Sequence, residues 1–206
     1  MTKLATKLER ELLSSLLEIK EQTDHPPALL TNRYNVFFIT RLSKITLVGS
    51  VALFLTLSVI NNLSDYQVIF QFVKQIMSMQ SVYLHNQDSW RAITNPSLHQ
   101  LSYWLVIVWE TIAGALCWWG AYRCWQVIRY NSAIFHQAKT VAIGGLTLAL
   151  LLWLIAFINI GGEWFMMWQS ELWNDQDTAF RMCTIVGVIL AFLSLPEGEE
   201  SFGYLR

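Results

Sequence analysis

The chain has 206 residues, of which 54% are apolar, 14% aromatic and 14% charged, with a net charge of −1. Soluble chains are about 25% charged, so this deficit, together with ten Trp, points to lipid as one of the solvents. The balance excludes a disordered chain, a collagen-like chain and a basic nucleic-acid-binding domain, and an odd number of Cys (Cys117, Cys124, Cys183) excludes a disulfide framework.

Residues 1–34 read as a cytoplasmic arm. LERELLSSLLEIKEQ places Leu8, Leu12, Leu16 and Ile19 on one face with charges elsewhere, the pattern of an amphipathic helix. Its mix of acids and bases favours docking on a partner over lying on an anionic leaflet, because membrane-surface helices are more cationic. His25-Pro26-Pro27 ends it.

A spanning helix needs about 20 largely apolar residues. Residues 35–195 supply four spans, at about 39–60, 101–122, 141–160 and 180–195. The first begins too late for a signal peptide and no A-x-A-like site follows it, so it is expected to be retained. Eleven of the fourteen basic residues fall before the first span, between the second and third, or in the acidic tail at 196–206; Lys74, Arg91 and Arg181 fall on the other side. The positive-inside rule then puts both termini in the cytoplasm. The expected fold is an all-α membrane protein: four transmembrane helices in an antiparallel bundle.

Two loops face the other side. In the first, Phe70, Val73, Ile76 and Met77 suit a short amphipathic helix at the interface. In WRAITNPSLH, Asn95-Pro96 is a turn, Ser97 is an N-cap candidate, and Arg91 can pair with Glu163 or Asp177 or bind a ligand. The second loop carries Glu163, Trp164, Trp168 and Trp173; Trp there is an interfacial anchor first and an external contact surface second. Gly161-Gly162-Glu163 reads as a break at the end of the third span.

Glu110 stands near the middle of the second span. An ionised group there costs from about 2.5 kcal/mol upward, so it is expected to face the bundle interior. Tyr103, Val106, Ile107, Ala113, Gly114 and Cys117 share its face, and Leu105, Val108, Ile112, Leu116 and Trp119 lie opposite. No Lys or Arg lies at similar depth, so Glu110 is expected to be protonated or bonded to donors such as Ser50, Thr56, Trp153 or Thr184. It is either a proton or cation site or a hydrogen-bonded staple between helices. Stripes of small residues (Thr46, Gly49 and Thr56; Gly145 and Ala149; Thr184, Gly187, Ala191 and Ser194) suit close helix packing.

The four His lie outside the apolar spans or at their ends, so no pair suits haem. There is no Walker loop, G-x-S-x-G, H-E-x-x-H or dinucleotide fingerprint. No cofactor or metal is assigned and no enzymatic activity is expected.

NNLSDYQVIFQFVKQIMSM, WRAITNPSLH, YWLVIVWETIAGALCWWGAYR and IGGEWFMMWQSELWN together resemble a bacterial family of predicted small integral membrane proteins, over most of positions 44–195. The resemblance implies a four-helix inner-membrane protein and no activity. Small size, missing catalytic motifs and the added arm favour an accessory or stabilising subunit of a larger respiratory or photosynthetic complex, with lipids and other integral membrane subunits as partners. The alternative is a small homo-oligomeric transporter or channel component that uses Glu110. A quinone-site enzyme is a distant third.

Overall fold

The computed structural model describes residues 13–15, 28–82 and 90–197, with the side chains of 28–35 left aside. Leu8, Leu12, Leu16 and Ile19 therefore lie outside the described residues, as does most of the acidic tail. Residues 13–15 are helical. The chain divides into two units, Met1–Arg41 and Leu42–Arg206; the second holds every side-chain contact discussed below.

The elements in chain order are helix α1 (Ala28–Ser64), α2 (Tyr66–Met77), α3 (Pro96–Gln126), α4 (Ser132–Leu151), which continues as a π-helix (Leu152–Trp164), a 3-10 turn (Met167–Gln169), and α5 (Gln176–Ser194). No strand occurs among the described residues. Four helices are long and apolar enough to cross a membrane: Val36–Ser64, Pro96–Gln126, Ser132–Trp164 and Gln176–Ser194. Each is longer than its sequence-based span, because polar end turns continue the backbone helix beyond the apolar run.

Local chemistry sets the ends. Asn95, not Ser97, caps α3: its side-chain Oδ1 accepts from the Ser97 N–H at 2.9 Å, and Pro96 takes the first helical position, where its missing N–H costs nothing. Asn131 caps α4 in the same way, accepting from the Ile134 N–H at 2.9 Å. The break expected at Gly161-Gly162 is absent. The π-helix runs through it to Trp164, and the Phe165 N–H reaches back five residues to the Ile160 carbonyl at 3.0 Å. The chain turns at Met166, with φ 52°.

All four long helices contribute to the core. Val48, Val51, Ala52 and Leu55 of α1 meet Ala113, Cys117 and Ala121 of α3, Ala142, Leu146 and Ala149 of α4, and Val186, Ile189 and Leu193 of α5. The small residues let backbones approach. A Cβ on Gly120 would press on the main-chain N and Cα of Ala142, and one on Gly145 would lie 2.8 Å from the Cys117 nitrogen. The stripes through Gly49 and Gly187 differ from expectation: both glycines have open space around them, and Thr46, Thr56, Thr184, Ala191 and Ser194 are exposed. Those helices bury larger residues instead, because the α1 and α5 interfaces are built on Val, Leu and Ile.

α2 turns its apolar face inward. Ile76 and Met77, with Phe72 and Val73 beside them, pack on Phe165, Met167 and Trp173 of the second loop. It is thus a cap on one end of the bundle as well as an amphipathic element.

A polar lock holds the other end. Lys44 of α1 and Lys139 of α4, buried with relative exposures of 3% and 0%, both donate to one carboxylate oxygen of Glu197, at 2.7 and 3.0 Å. Lys139 also donates to the Leu195 carbonyl at 2.9 Å, just past the end of α5. Burial by itself favours the neutral acid at Glu197, but the hydrogen bonds and positive charges of the two lysines outweigh it and hold this carboxyl below its ordinary range.

Two outcomes follow. Gly120→Ala should destabilise the bundle by about 1–3 kcal/mol, since backbone must shift, whereas Gly187→Ala should be close to neutral; thermal unfolding in mild detergent compares them. The depressed Glu197 carboxyl stabilises the fold above its unfolded-state value of about 4.3. That contribution should drain away as pH falls from about 5 through the lower folded value. Glu197→Gln should flatten this acid limb of the melting profile and lower the plateau by about 3–5 kcal/mol, because two lysines then lose their buried partner.

Candidate functional site

α3 buries one face through its middle. Tyr103, Ile107, Glu110, Ala113, Gly114 and Cys117 are buried, while Leu105, Val108, Ile112 and Trp119 are exposed. Gly114 fixes how α1 approaches: the position of its missing Cβ lies 3.3 Å from Leu55 Cβ. Ser58 and Asn62 lie three and seven residues beyond Leu55, on the same helical face. Close packing at Gly114 therefore delivers both to Glu110.

Glu110 is 2% exposed. Ser58 Oγ donates to Oε1 at 2.8 Å and Asn62 Nδ2 donates to Oε2 at 2.7 Å. Tyr103 Oη donates to the main-chain carbonyl of Asn62 at 2.6 Å. Asn62 stands in the last turn of α1, where carbonyls lack helical partners, so Tyr103 both satisfies that carbonyl and fixes the residue that holds Glu110. The donors named from sequence are not the ones used. Ser50, Thr56 and Thr184 donate to carbonyls four residues back in their own helices. The Trp153 indole Nε1 is buried with no hydrogen-bond partner.

Two donors leave a carboxylate with spare acceptor capacity, and here there is room to use it. A cavity of about 450 Å³ is lined by Ser58, Asn62 and Glu110, by Phe72 of α2, by Trp153 and Phe157 of the π-helix, and by Trp173 and Asp175 of the second loop. Its rings form a connected series: Trp153–Phe157 at 4.6 Å between centroids, Phe157–Phe72 at 6.4 Å and Phe72–Trp173 at 6.3 Å. A second, apolar cavity of about 240 Å³ abuts the first and shares Phe72, Val73, Val106 and Phe157 as wall residues. Trp109 lines this second cavity, and its Nε1–H donates to the Leu148 carbonyl at 2.9 Å, tying α3 to α4.

The external residues named from sequence form a separate group. Arg91 donates to the main-chain carbonyl of Glu163 at 3.5 Å, and Trp164 meets Trp90 edge to face at 5.5 Å. Trp164 and Trp168 are both about half exposed. None of these residues lines either cavity. His99 is buried, its Nε2 2.7 Å from the Ile93 carbonyl; a carbonyl only accepts, so Nε2 carries the proton. This histidine holds the entry to α3.

Sequence reasoning missed Ser58 and Asn62. Ending the first span at Ile60 left Asn62 in a loop, although the Leu55, Ser58, Asn62 spacing was there to be read. Phe72, Trp173 and Asp175 reach the cavity only through loop packing, which carries no periodic signal.

The architecture is that of a small all-helical protein with four helices able to span a membrane and a polar cavity among them. The chain belongs to the family described as Predicted small integral membrane protein (DUF2165), whose profile matches residues 40–196. No curated protein and no solved structure matches it.

Asn62→Ala should lower stability by about 1–3 kcal/mol, since it removes a donor from a buried acceptor. Thermal unfolding in detergent should show a larger loss for it than for Ser58→Ala, because Asn62 also carries the contact from Tyr103.

Proposed function

We propose that this chain is a non-catalytic protein of the bacterial inner membrane that admits a small solute into its bundle. In this reading it is a transporter or channel component, working as a homo-oligomer, with Glu110 as its intramembrane proton or cation site. The observation that carries the proposal is that the Glu110 carboxylate lies on the wall of a cavity. A carboxylate that served only to staple α1 to α3 would be satisfied inside close packing. Ionisable groups at such depth are costly and mark solute or proton paths.

The orientation has both termini in the cytoplasm. Charge distribution supports it, and the contacts agree with the antiparallel order that it requires. Lys44 near the start of the first span, Lys139 near the start of the third and Glu197 after the fourth meet at one end. Along the α1–α3 contact, Leu55 meets Gly114 while Asn62 meets Tyr103, as expected of neighbours running in opposite directions. The accessory-subunit reading rests on chain size, missing catalytic motifs and the N-terminal arm, most of which lies outside the described residues; the cavity is what ranks it second.

The test is proton entry into dye-loaded proteoliposomes under an imposed potassium diffusion potential. Wild type should acidify the lumen faster than empty vesicles, and Glu110→Gln, with an unchanged elution profile and helical content, should return the rate to the empty-vesicle value. Equal rates for wild type and Glu110→Gln would discard Glu110 as the site. Co-purification of a stoichiometric larger complex from native membranes in mild detergent would restore the subunit reading.

A further inference from the structure

The cavity beside Glu110 has a composition that selects among ligands. Its acids are Glu110 and Asp175, and no Lys, Arg or His is among the described residues that line it. Phe72, Tyr103, Trp153, Phe157 and Trp173 surround it with ring surface. Carboxylates with aromatic faces and no base favour a cation and disfavour an anion, because the ring quadrupole and the acid attract the same charge.

The kind of cation follows from size and lining. A hard metal ion takes six or more oxygens at short range, whereas this cavity is walled mainly by carbon. At about 450 Å³ it falls within the range of sites for small organic molecules, about 300–1,000 Å³. The abutting apolar cavity, lined by residues such as Leu105, Leu152 and Ile155, suits an apolar body attached to the charged group.

Trp153 supplies an independent observation. The residue is 6% exposed, lines the cavity, and its Nε1–H has no acceptor. A buried donor without a partner is destabilising. Trp109, a half-buried indole on the wall of the second cavity, has the Leu148 carbonyl. A ligand oxygen would complete Trp153 in the same way. Glu110, held at one edge by Ser58 and Asn62, keeps acceptor capacity for a cationic head.

We propose that this cavity binds an organic ammonium with an apolar body and a hydrogen-bond acceptor, the ammonium lying against Glu110 and the aromatic rings and the acceptor taking the Trp153 N–H. The proposal rests on the reading of Glu110 as the solute site and names the class of solute.

The full-length protein in mild detergent is titrated by calorimetry with benzoylcholine, a quaternary ammonium ester of suitable size. Its uncharged carbon isostere, 3,3-dimethylbutyl benzoate, is titrated in parallel. Phenylpropyltrimethylammonium, which has the charge and the ring without the ester, is the third probe. Wild type should bind benzoylcholine saturably at one per chain and the uncharged isostere at least tenfold more weakly. Glu110→Gln should weaken benzoylcholine at least tenfold. Trp153→Phe, which keeps a ring and removes the N–H, should weaken benzoylcholine several-fold and leave phenylpropyltrimethylammonium unchanged.

Absence of saturable benzoylcholine binding, or equal affinity for the uncharged isostere, overturns the ligand class; because that comparison uses wild type, it decides even if a variant does not fold. Glu110-dependent proton entry in vesicles, combined with no benzoylcholine binding, would overturn the ligand class while leaving the Glu110 reading standing.

Discussion

A carboxylate in the middle of a membrane-spanning helix has no bulk water around it. It needs donors from neighbouring helices, and those donors must be brought within about 3 Å. Most of the arrangement around Glu110 answers this requirement. Gly114 removes the side chain that would keep α1 away, Leu55 occupies the space, and Ser58 and Asn62 arrive on the same face one and two turns later. Tyr103 then fixes Asn62 through its main-chain carbonyl. The carboxylate, the two donors and the tyrosine form a unit that cannot be assembled unless α1 and α3 pack closely.

The bundle carries a second polar constellation at its other end, and the two differ in what they leave open. Lys44 and Lys139 close around Glu197, both ammoniums converging on a single oxygen, and Lys139 also donates to the Leu195 carbonyl. That cluster joins α1, α4 and the end of α5. At Glu110 the donors come from one side only, and the other side opens on space walled by Phe72, Trp153, Phe157 and Trp173. At Glu197 the carboxylate is engaged by two cations, whereas Glu110 has acceptor capacity to spare. The π-helix contributes to this difference, since Trp153 and Phe157 both project from it, and π-helical turns recur at functional sites.

Much of this was legible in the sequence, and for physical reasons. Hydrophobic runs of membrane length and the helical spacing around Glu110 marked the spans and the buried face of α3, because lipid and the 3.6-residue repeat act on every residue in the same way. The family resemblance was carried by loop motifs and the second-span stretch, and is matched by the profile over residues 40–196. What was not legible depends on which helix lies beside which. The donors to Glu110 come from the end of α1, and the four candidates chosen by residue type alone are engaged elsewhere or unpartnered. The Gly49 and Gly187 stripes had the right spacing, yet they face outward, because small residues permit close packing without requiring it. Nothing in LWLIAFINIGGEW announces a π-helix, and the Gly pair that suggested a break instead admits Gln176 against Gly162.

A solute site beside Glu110 requires that this space be reachable by water. The most direct measurement is the rate at which a single cysteine at position 58, in a chain freed of Cys117, Cys124 and Cys183, reacts with a small cationic thiosulfonate. A thiol reacts as its thiolate, which does not form in lipid. The account predicts fast modification at 58 and essentially none for a cysteine at 57, where Leu57 lies on the exposed face of the same helix. Equal inertness at both positions, with the protein folded, would mean that the cavity is closed and dry, and would contradict the account.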